Sequence, residues 1–125
     1  MKNSSDKNVF SIGVDNFKKG EFKIALDYFK KLLINYPENT SLLENIALTE
    51  YNLKNLYECE LILKKIIKLN KNSKRQFNFL LKVLREEDKI EELKELIDIG
   101  IKTNQIDKKF SIIKNILFPF INKNN

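Results

Sequence analysis

Apolar residues recur at intervals of three and four along almost the whole of this 125-residue chain. That spacing places them on one face of an α-helix, and no segment shows the sustained alternation of apolar and polar residues typical of a half-buried strand. The chain has only three glycines and two prolines, too few for the many turns of a β-sandwich or barrel. Because 42% of its residues are hydrophobic, the sequence predicts a folded, all-α protein.

Turn and cap residues divide this helical pattern into short segments. Gly20 lies where a first helix should end, in the left-handed conformation that glycine adopts without strain, and Pro37 follows the second helix. Three later segments have the spacing of a capping box, in which side chains accept hydrogen bonds from a helix's first amides: Ser41–Glu44, Ser73–Gln76 and Asp88–Glu91. The sequence therefore predicts a helix start at each of them.

The same arrangement of apolar residues returns after about 34 residues. The first copy consists of Val9, Ile12, Gly13, Asn16, Ala25, Phe29 and Pro37. The second consists of Leu43, Ile46, Ala47, Cys59, Leu63 and Lys71. The third consists of Phe77, Leu80, Leu81, Leu84, Leu93, Ile97 and Gln105. In spacing, these copies resemble the tetratricopeptide repeat (TPR) family, although Val9 and Asn16 replace large aromatic residues of its motif.

The resemblance implies a right-handed α-solenoid of three antiparallel helical hairpins with a capping helix. The hairpins would span about 6–37, 40–71 and 74–105, the capping helix would span about 107–118, and together they would form one domain over 1–125. Paired helices of such a hairpin touch at small residues, which are here Gly13 with Ala25 and Ala47 with Cys59. The third pair is Leu81 with Leu93, so we expect the third hairpin to be splayed.

Residues that carry catalysis are scarce. The chain has no histidine, the commonest general base and metal ligand, and no glycine-rich phosphate loop or nucleophile elbow. The acidic segment 86–95 fits a solvated helix better than a metal site, and the single cysteine, Cys59, is expected to be buried and inert. We therefore expect a protein that is not an enzyme and binds no cofactor or metal.

No stretch of the sequence resembles a signal peptide or a membrane span. The lone cysteine is also compatible with a reducing compartment. A cytoplasmic location is accordingly the expectation.

The resemblance also implies a binding site, because in TPR proteins the first helix of each hairpin lines a concave groove. The groove residues carried over to this chain are Phe10, Val14, Phe17, Asn45, Leu48, Tyr51, Arg75, Asn78, Lys82 and Arg85. For Phe10 and Phe17, a place in the core between hairpins is an equal alternative. An apolar wall beside a basic wall predicts a peptide ligand with hydrophobic and acidic residues.

Co-chaperones of this family grip a chaperone's terminal carboxylate with basic and Asn residues. The corresponding positions here are Phe10, Val14, Asn45, Arg75 and Phe79. Only Asn45 and Arg75 match, so the sequence disfavours a chaperone-tail adaptor.

The predicted function is thus a protein–protein interaction module, an adaptor or chaperone-like scaffold. Two alternatives stay open. With a net charge of +6 and a basic run over residues 64–85, the chain has phosphate contacts to offer an RNA. It has two candidate surfaces for self-association into a homo-oligomer, the groove and the segment 118–120.

Overall fold

The computed structural model describes residues 1, 3–70 and 72–106. Within that part the chain forms six α-helices and no strand, which confirms the all-α prediction. The helices are α1 (Ser4–Lys18), α2 (Phe22–Leu33), α3 (Thr40–Asn52), α4 (Leu56–Leu69), α5 (Lys74–Glu86) and α6 (Ile90–Lys102). The predicted capping helix over 107–118 lies outside the described residues.

The chain divides into two compact units, Met1–Lys71 and Asn72–Asn125. The first contains the first two hairpins, α1–α2 and α3–α4, and α2 also packs on α3. The second contains the third hairpin, α5–α6. The expectation that residues 1–125 act as one domain stays a prediction.

The backbone repeats at the predicted interval. The second helices of the hairpins begin at Phe22, Leu56 and Ile90, 34 residues apart. Each is preceded by one residue in the left-handed conformation: Gly20 (φ 81°), Lys54 (φ 66°) and Asp88 (φ 61°). At all three turns this residue and the next one donate amide hydrogen bonds to carbonyls three and five residues back, the pattern that ends a helix at a left-handed residue. The three hairpins therefore keep one register.

The predicted helix start is confirmed at Ser73, and the other two lie within two residues of the observed N-caps, but the predicted residues do not cap the helices. Helix α3 is capped by Asn39, whose side chain accepts a first-turn amide at 3.0 Å, and Ser41 lies inside the helix. Ser73 stands at the N-cap of α5, but its side chain makes no capping hydrogen bond. Asp88 occupies the left-handed turn, and Lys89 precedes α6 instead. The capping-box spacing thus indicates where these helices begin, but it does not identify the residue that caps them.

The first hairpin is held by a close contact between a glycine and an aromatic ring. Gly13 is buried in α1, and a Cβ built on it would lie 2.6 Å from Cε1 of Phe29 in α2. Phe29 is fully buried and belongs to the core cluster of the first unit. Its members are Ala25, Leu26, Phe29, Leu32, Leu42 and Ile46. Because Leu42 and Ile46 come from α3, this cluster also joins the first hairpin to the second.

The third hairpin is packed differently from the first two. Its helices approach each other less closely than those of the other hairpins, which confirms the splaying predicted from Leu81 and Leu93. Ile106, after α6, packs against Gly100, where a Cβ would lie 2.4 Å from its Cδ1 atom and 3.2 Å from the Phe77 ring. In this unit the closest packing therefore occurs at the end of α6, between Gly100 and Ile106.

A hydrogen bond ties the two ends of the first hairpin together. The Tyr36 hydroxyl, just after α2, donates to Oδ2 of Asp6 in α1 at 2.6 Å. The pKa of Tyr36 is raised above its ordinary value of 10.0. The largest cause is this hydrogen bond, and partial desolvation is the second. The stability that the bond contributes is present below pH 10 and is lost as the pH rises through the raised pKa.

None of the helices in the described part of the chain has the length and apolar content required to cross a bilayer.

Gly13→Ala tests the glycine–ring contact. A helical Gly→Ala change normally stabilises by up to about 1 kcal/mol, but overpacking against a fully buried ring costs about 1–3 kcal/mol. We expect the free energy of unfolding in urea to fall, and to fall less when Phe29→Leu removes the ring. The exposed Ser11→Ala in the same helix is the control and should change it by less than about 0.5 kcal/mol. Equal effects with and without Phe29 would contradict the contact.

Lys54→Gly tests the repeated turn. An L-residue in the left-handed region is disfavoured by about 1 kcal/mol relative to glycine, so we expect the midpoint of urea unfolding to rise. The matched control is Lys65→Gly inside α4, which should lower the free energy of unfolding by about 1 kcal/mol. A loss of stability with Lys54→Gly would show that its φ is not positive.

Candidate functional site

The predicted groove residues of α1 are half-buried and pack inward. Phe10, Val14 and Phe17 all contact the core cluster of the first unit. The Phe10 ring lies 5.8 Å from the Phe29 ring, and the Phe17 ring meets the Phe22 ring edge-on at 5.2 Å. Both aromatic residues therefore support the core, and each keeps part of its surface accessible.

The predicted groove residues of α3 include the most exposed apolar side chain of the set. Leu48 is 42% exposed, and Tyr51 is half-buried. Another side of α3 packs against the protein, because Thr49 and Glu50 are buried. The Thr49 hydroxyl donates to the Asn45 carbonyl at 2.6 Å. The burial of these two polar residues fixes the rotation of α3 and leaves Leu48 in contact with solvent.

The side-chain amide of Asn45 forms a hydrogen bond within its own helix. Its side-chain Nδ2 donates to the Ser41 carbonyl at 2.8 Å. The same geometry occurs at Asn16 and Asn52, whose amides donate to Ile12 and Leu48. In each case the hydrogen bond uses one of the two N–H donors of the side-chain amide.

The predicted groove residues of α5, in the second unit, form one exposed line. Arg75, Asn78, Lys82 and Arg85 are separated by three, four and three residues and are all exposed. Side chains at this spacing lie along one face of a helix, over a length of about 15 Å. The helix is anchored by its other face, where Phe77, Leu80 and Leu84 are buried. This α5 stripe offers three cations and one amide to an acidic group.

Sequence reasoning missed a buried carboxylate beside the α3 face. Glu50 is 3% exposed, its Oε2 accepts from Nδ2 of Asn55 at 2.8 Å, and its Oε1 lies 3.6 Å from Nζ of Lys30 in α2. Glu50 thus joins the second hairpin to the first next to Tyr51. Its only sequence signal is its repeat position, which Asn16 and Leu84 occupy in the other hairpins.

Two further buried groups lie on α4. Cys59 is fully buried, as the sequence predicts, and forms no disulfide. Glu60 is 2% exposed and pairs with Nζ of Lys64 one turn later at 2.6 Å. Among the described residues, no three acidic or cysteine side chains are grouped so that they could hold a metal ion.

Solved structures of TPR proteins match this fold. One is the first TPR of Spaghetti (RPAP3) bound to HSP90 peptide SRMEEVD, with a TM-score of 0.69 over 86% of this chain and 86% of that chain. The chain has the tetratricopeptide-repeat fold. The identity to the Spaghetti domain is 19%, so the likeness concerns the fold.

Two other solved structures match as well. The TPR2B-domain:pHsp70 complex of yeast Sti1 matches with a TM-score of 0.69 at 16% identity, over 82% of each chain. The Yersinia enterocolitica type III secretion translocator chaperone SycD matches with a TM-score of 0.71 at 8% identity, over 90% of this chain and 85% of that one. No protein-family model and no curated protein matches the sequence.

Glu50→Gln tests the carboxylate that supports the α3 face. The amide keeps the size of the side chain but loses the charge that faces Lys30 and places an NH₂ group in the contact, which we expect to cost about 1–2 kcal/mol of unfolding free energy. Glu38→Gln changes an exposed carboxylate in the same unit and should cost less than about 0.5 kcal/mol. Equal urea midpoints for the two variants would contradict the proposed support.

Proposed function

We propose that this TPR-fold chain is a non-enzymatic protein-interaction module, an adaptor or chaperone-like scaffold, that binds a peptide segment with hydrophobic and acidic residues. The exposure of Leu48 carries the proposal. The other leucines of α3, Leu42 and Leu43, are fully buried. An apolar side chain kept in water beside a tyrosine is typical of a contact site, because a ligand gains by covering it.

The first unit would supply the apolar contacts. Leu48 and Tyr51 extend outward on α3, and the accessible parts of Phe10, Val14 and Phe17 belong to the same unit. Since these side chains are held by the core and by the buried Thr49 and Glu50, little conformational entropy would be lost on binding. A hydrophobic ligand residue is the expected partner of this face.

The second unit would supply the charge. The α5 stripe can form charge-assisted hydrogen bonds with carboxylates, which are stronger than those between neutral groups. Lys82 and Arg85 are one turn apart, so acidic ligand residues in neighbouring positions can meet both. The peptide bound to the Spaghetti domain, SRMEEVD, contains such neighbouring acidic residues.

The mode of recognition would differ from a terminal carboxylate clamp. Only Asn45 and Arg75 match the residues of such a clamp, and Phe10, at another clamp position, packs on Phe29. We therefore place the ligand's acidic side chains, rather than its terminus, on the α5 stripe. An RNA ligand is the competing occupant of that stripe, because phosphates would bind the same cations.

Fluorescence polarisation with three labelled peptides tests the proposal. The first combines acidic and large apolar residues, the second has amides in place of the acids, and the third has serines in place of the apolar residues. We expect the first to bind at least about 10-fold more tightly than the others, which is about 1.4 kcal/mol. Leu48→Ala/Tyr51→Ala should weaken it, and so should Lys82→Glu/Arg85→Glu.

Lys19→Glu/Lys23→Glu is the matched control, since both lysines are exposed and outside the predicted site. It has the same charge change as Lys82→Glu/Arg85→Glu and should leave binding unchanged. An oligouridine probe separates the RNA alternative. Tight, steeply salt-dependent RNA binding that Lys82→Glu/Arg85→Glu abolishes, with no binding of the first peptide, would replace the proposal.

A further inference from the structure

One exposed stripe runs along α4, in the first unit, and another runs along α6, in the second; neither contains a predicted groove residue. The α4 stripe consists of Glu58, Leu61, Lys65 and Lys68. The α6 stripe consists of Glu92, Glu95, Ile99 and Lys102. All eight side chains are exposed, and the apolar members, Leu61 and Ile99, are 43% and 51% exposed.

Both stripes have the same spacing. Their members are separated by three, four and three residues, which places each set on one line about 15 Å long on the helix surface. This is the spacing with which two helices pack side by side at a shallow angle. Each helix is already anchored by its opposite face, through Cys59, Leu63 and Ile66 in α4 and through Leu93 and Ile97 in α6.

The two stripes are complementary when the helices run antiparallel. The facing pairs are then Glu58 with Lys102, Leu61 with Ile99, Lys65 with Glu95, and Lys68 with Glu92. Every position of one stripe meets a suitable partner, since opposite charges face each other at three positions and two apolar side chains face each other at the fourth.

Other pairings of the same stripes are unfavourable. A parallel arrangement places Glu58 against Glu92 and Lys68 against Lys102, two repulsive contacts. An antiparallel pairing of either stripe with its own copy places Leu61 against Lys65, or Glu95 against Ile99, so that an apolar side chain faces a charge. Repulsion and mismatch thus select the antiparallel α4–α6 pair.

We propose that the α4 stripe is a docking surface for the α6 stripe of a second copy of this chain. The occupant is specified by the complementarity of the two stripes, because each copy carries both. The groove residues stay outside the contact, so the proposal does not depend on the proposed peptide-binding function. Each stripe is short, so the contact is at the small end of protein interfaces, and we expect concentration-dependent association that salt weakens.

Sedimentation velocity over a concentration series up to about 1 mM, at about 0.05 M and 0.5 M salt, measures the association. Lys65→Glu/Lys68→Glu makes two of the four facing pairs repulsive, carboxylate against carboxylate, and should weaken self-association at least about 10-fold. Glu92→Lys/Glu95→Lys should do the same, because it places ammonium groups against each other at the same two pairs. Lys19→Glu/Lys23→Glu, with the same charge change as the first variant, should associate like the wild type.

Charge exchange makes the test specific. Mixing the two charge-reversed variants restores opposite charges across the contact, so the mixture should associate although neither variant does alone. The chain that carries all four substitutions should also regain self-association.

Circular dichroism and the melting temperature verify that each variant is folded. If a charge-reversed variant does not fold, Leu61→Ser and Ile99→Ser replace it, and each should weaken association.

Three results would overturn the proposal. A wild-type chain that stays monomeric at about 1 mM in low salt has no such contact. Association that survives both charge reversals, or both serine substitutions, uses another surface, such as the groove or the segment 118–120. Failure of the mixture and of the four-fold variant to associate, with all proteins folded, would show that the stripes do not face each other.

Discussion

The close approach of α1 and α2 at Gly13 is the constraint on which the first unit depends. Because Gly13 has no side chain, the ring of Phe29 fits against the backbone of α1. The ring then lies at the centre of a cluster that includes residues of α3, so one contact sets both the pairing within the first hairpin and its packing on the second. In the second hairpin the equivalent small residues, Ala47 and Cys59, are fully buried.

The third hairpin shows the effect of larger residues at the positions of closest approach. Leu81 and Leu93 occupy the equivalent positions, and the helices are farther apart. The tight approach occurs instead at Gly100, against which Ile106 and Phe77 pack. Larger side chains at these two positions thus accompany the looser pairing of α5 and α6, while the left-handed turn between the helices stays the same in all three hairpins.

This packing leaves different chemistry exposed on the first and on the second helices of the hairpins. On the side of the first helices, the burial of Thr49 and Glu50 leaves Leu48 exposed, and the anchoring of α5 leaves its basic stripe in solvent. On α4 and on α6, exposed charged residues of both signs lie beside the exposed apolar residues Leu61 and Ile99. The first set of surfaces is the proposed site for a peptide with acidic and apolar residues, and the second is the proposed contact between copies of the chain.

The sequence alone determined the helical class, the 34-residue period and the left-handed turn at Gly20, because these depend on residue spacing and backbone sterics that operate locally. It also predicted the splayed third hairpin, since volume is a property of each residue. Only the tertiary structure decided that Asn39 rather than Ser41 caps α3, that Phe10 and Phe17 pack on the core, and that Glu50 is buried beside Lys30. Each of these depends on what a side chain meets from a segment distant in the sequence, and residue spacing within one helix does not contain that information.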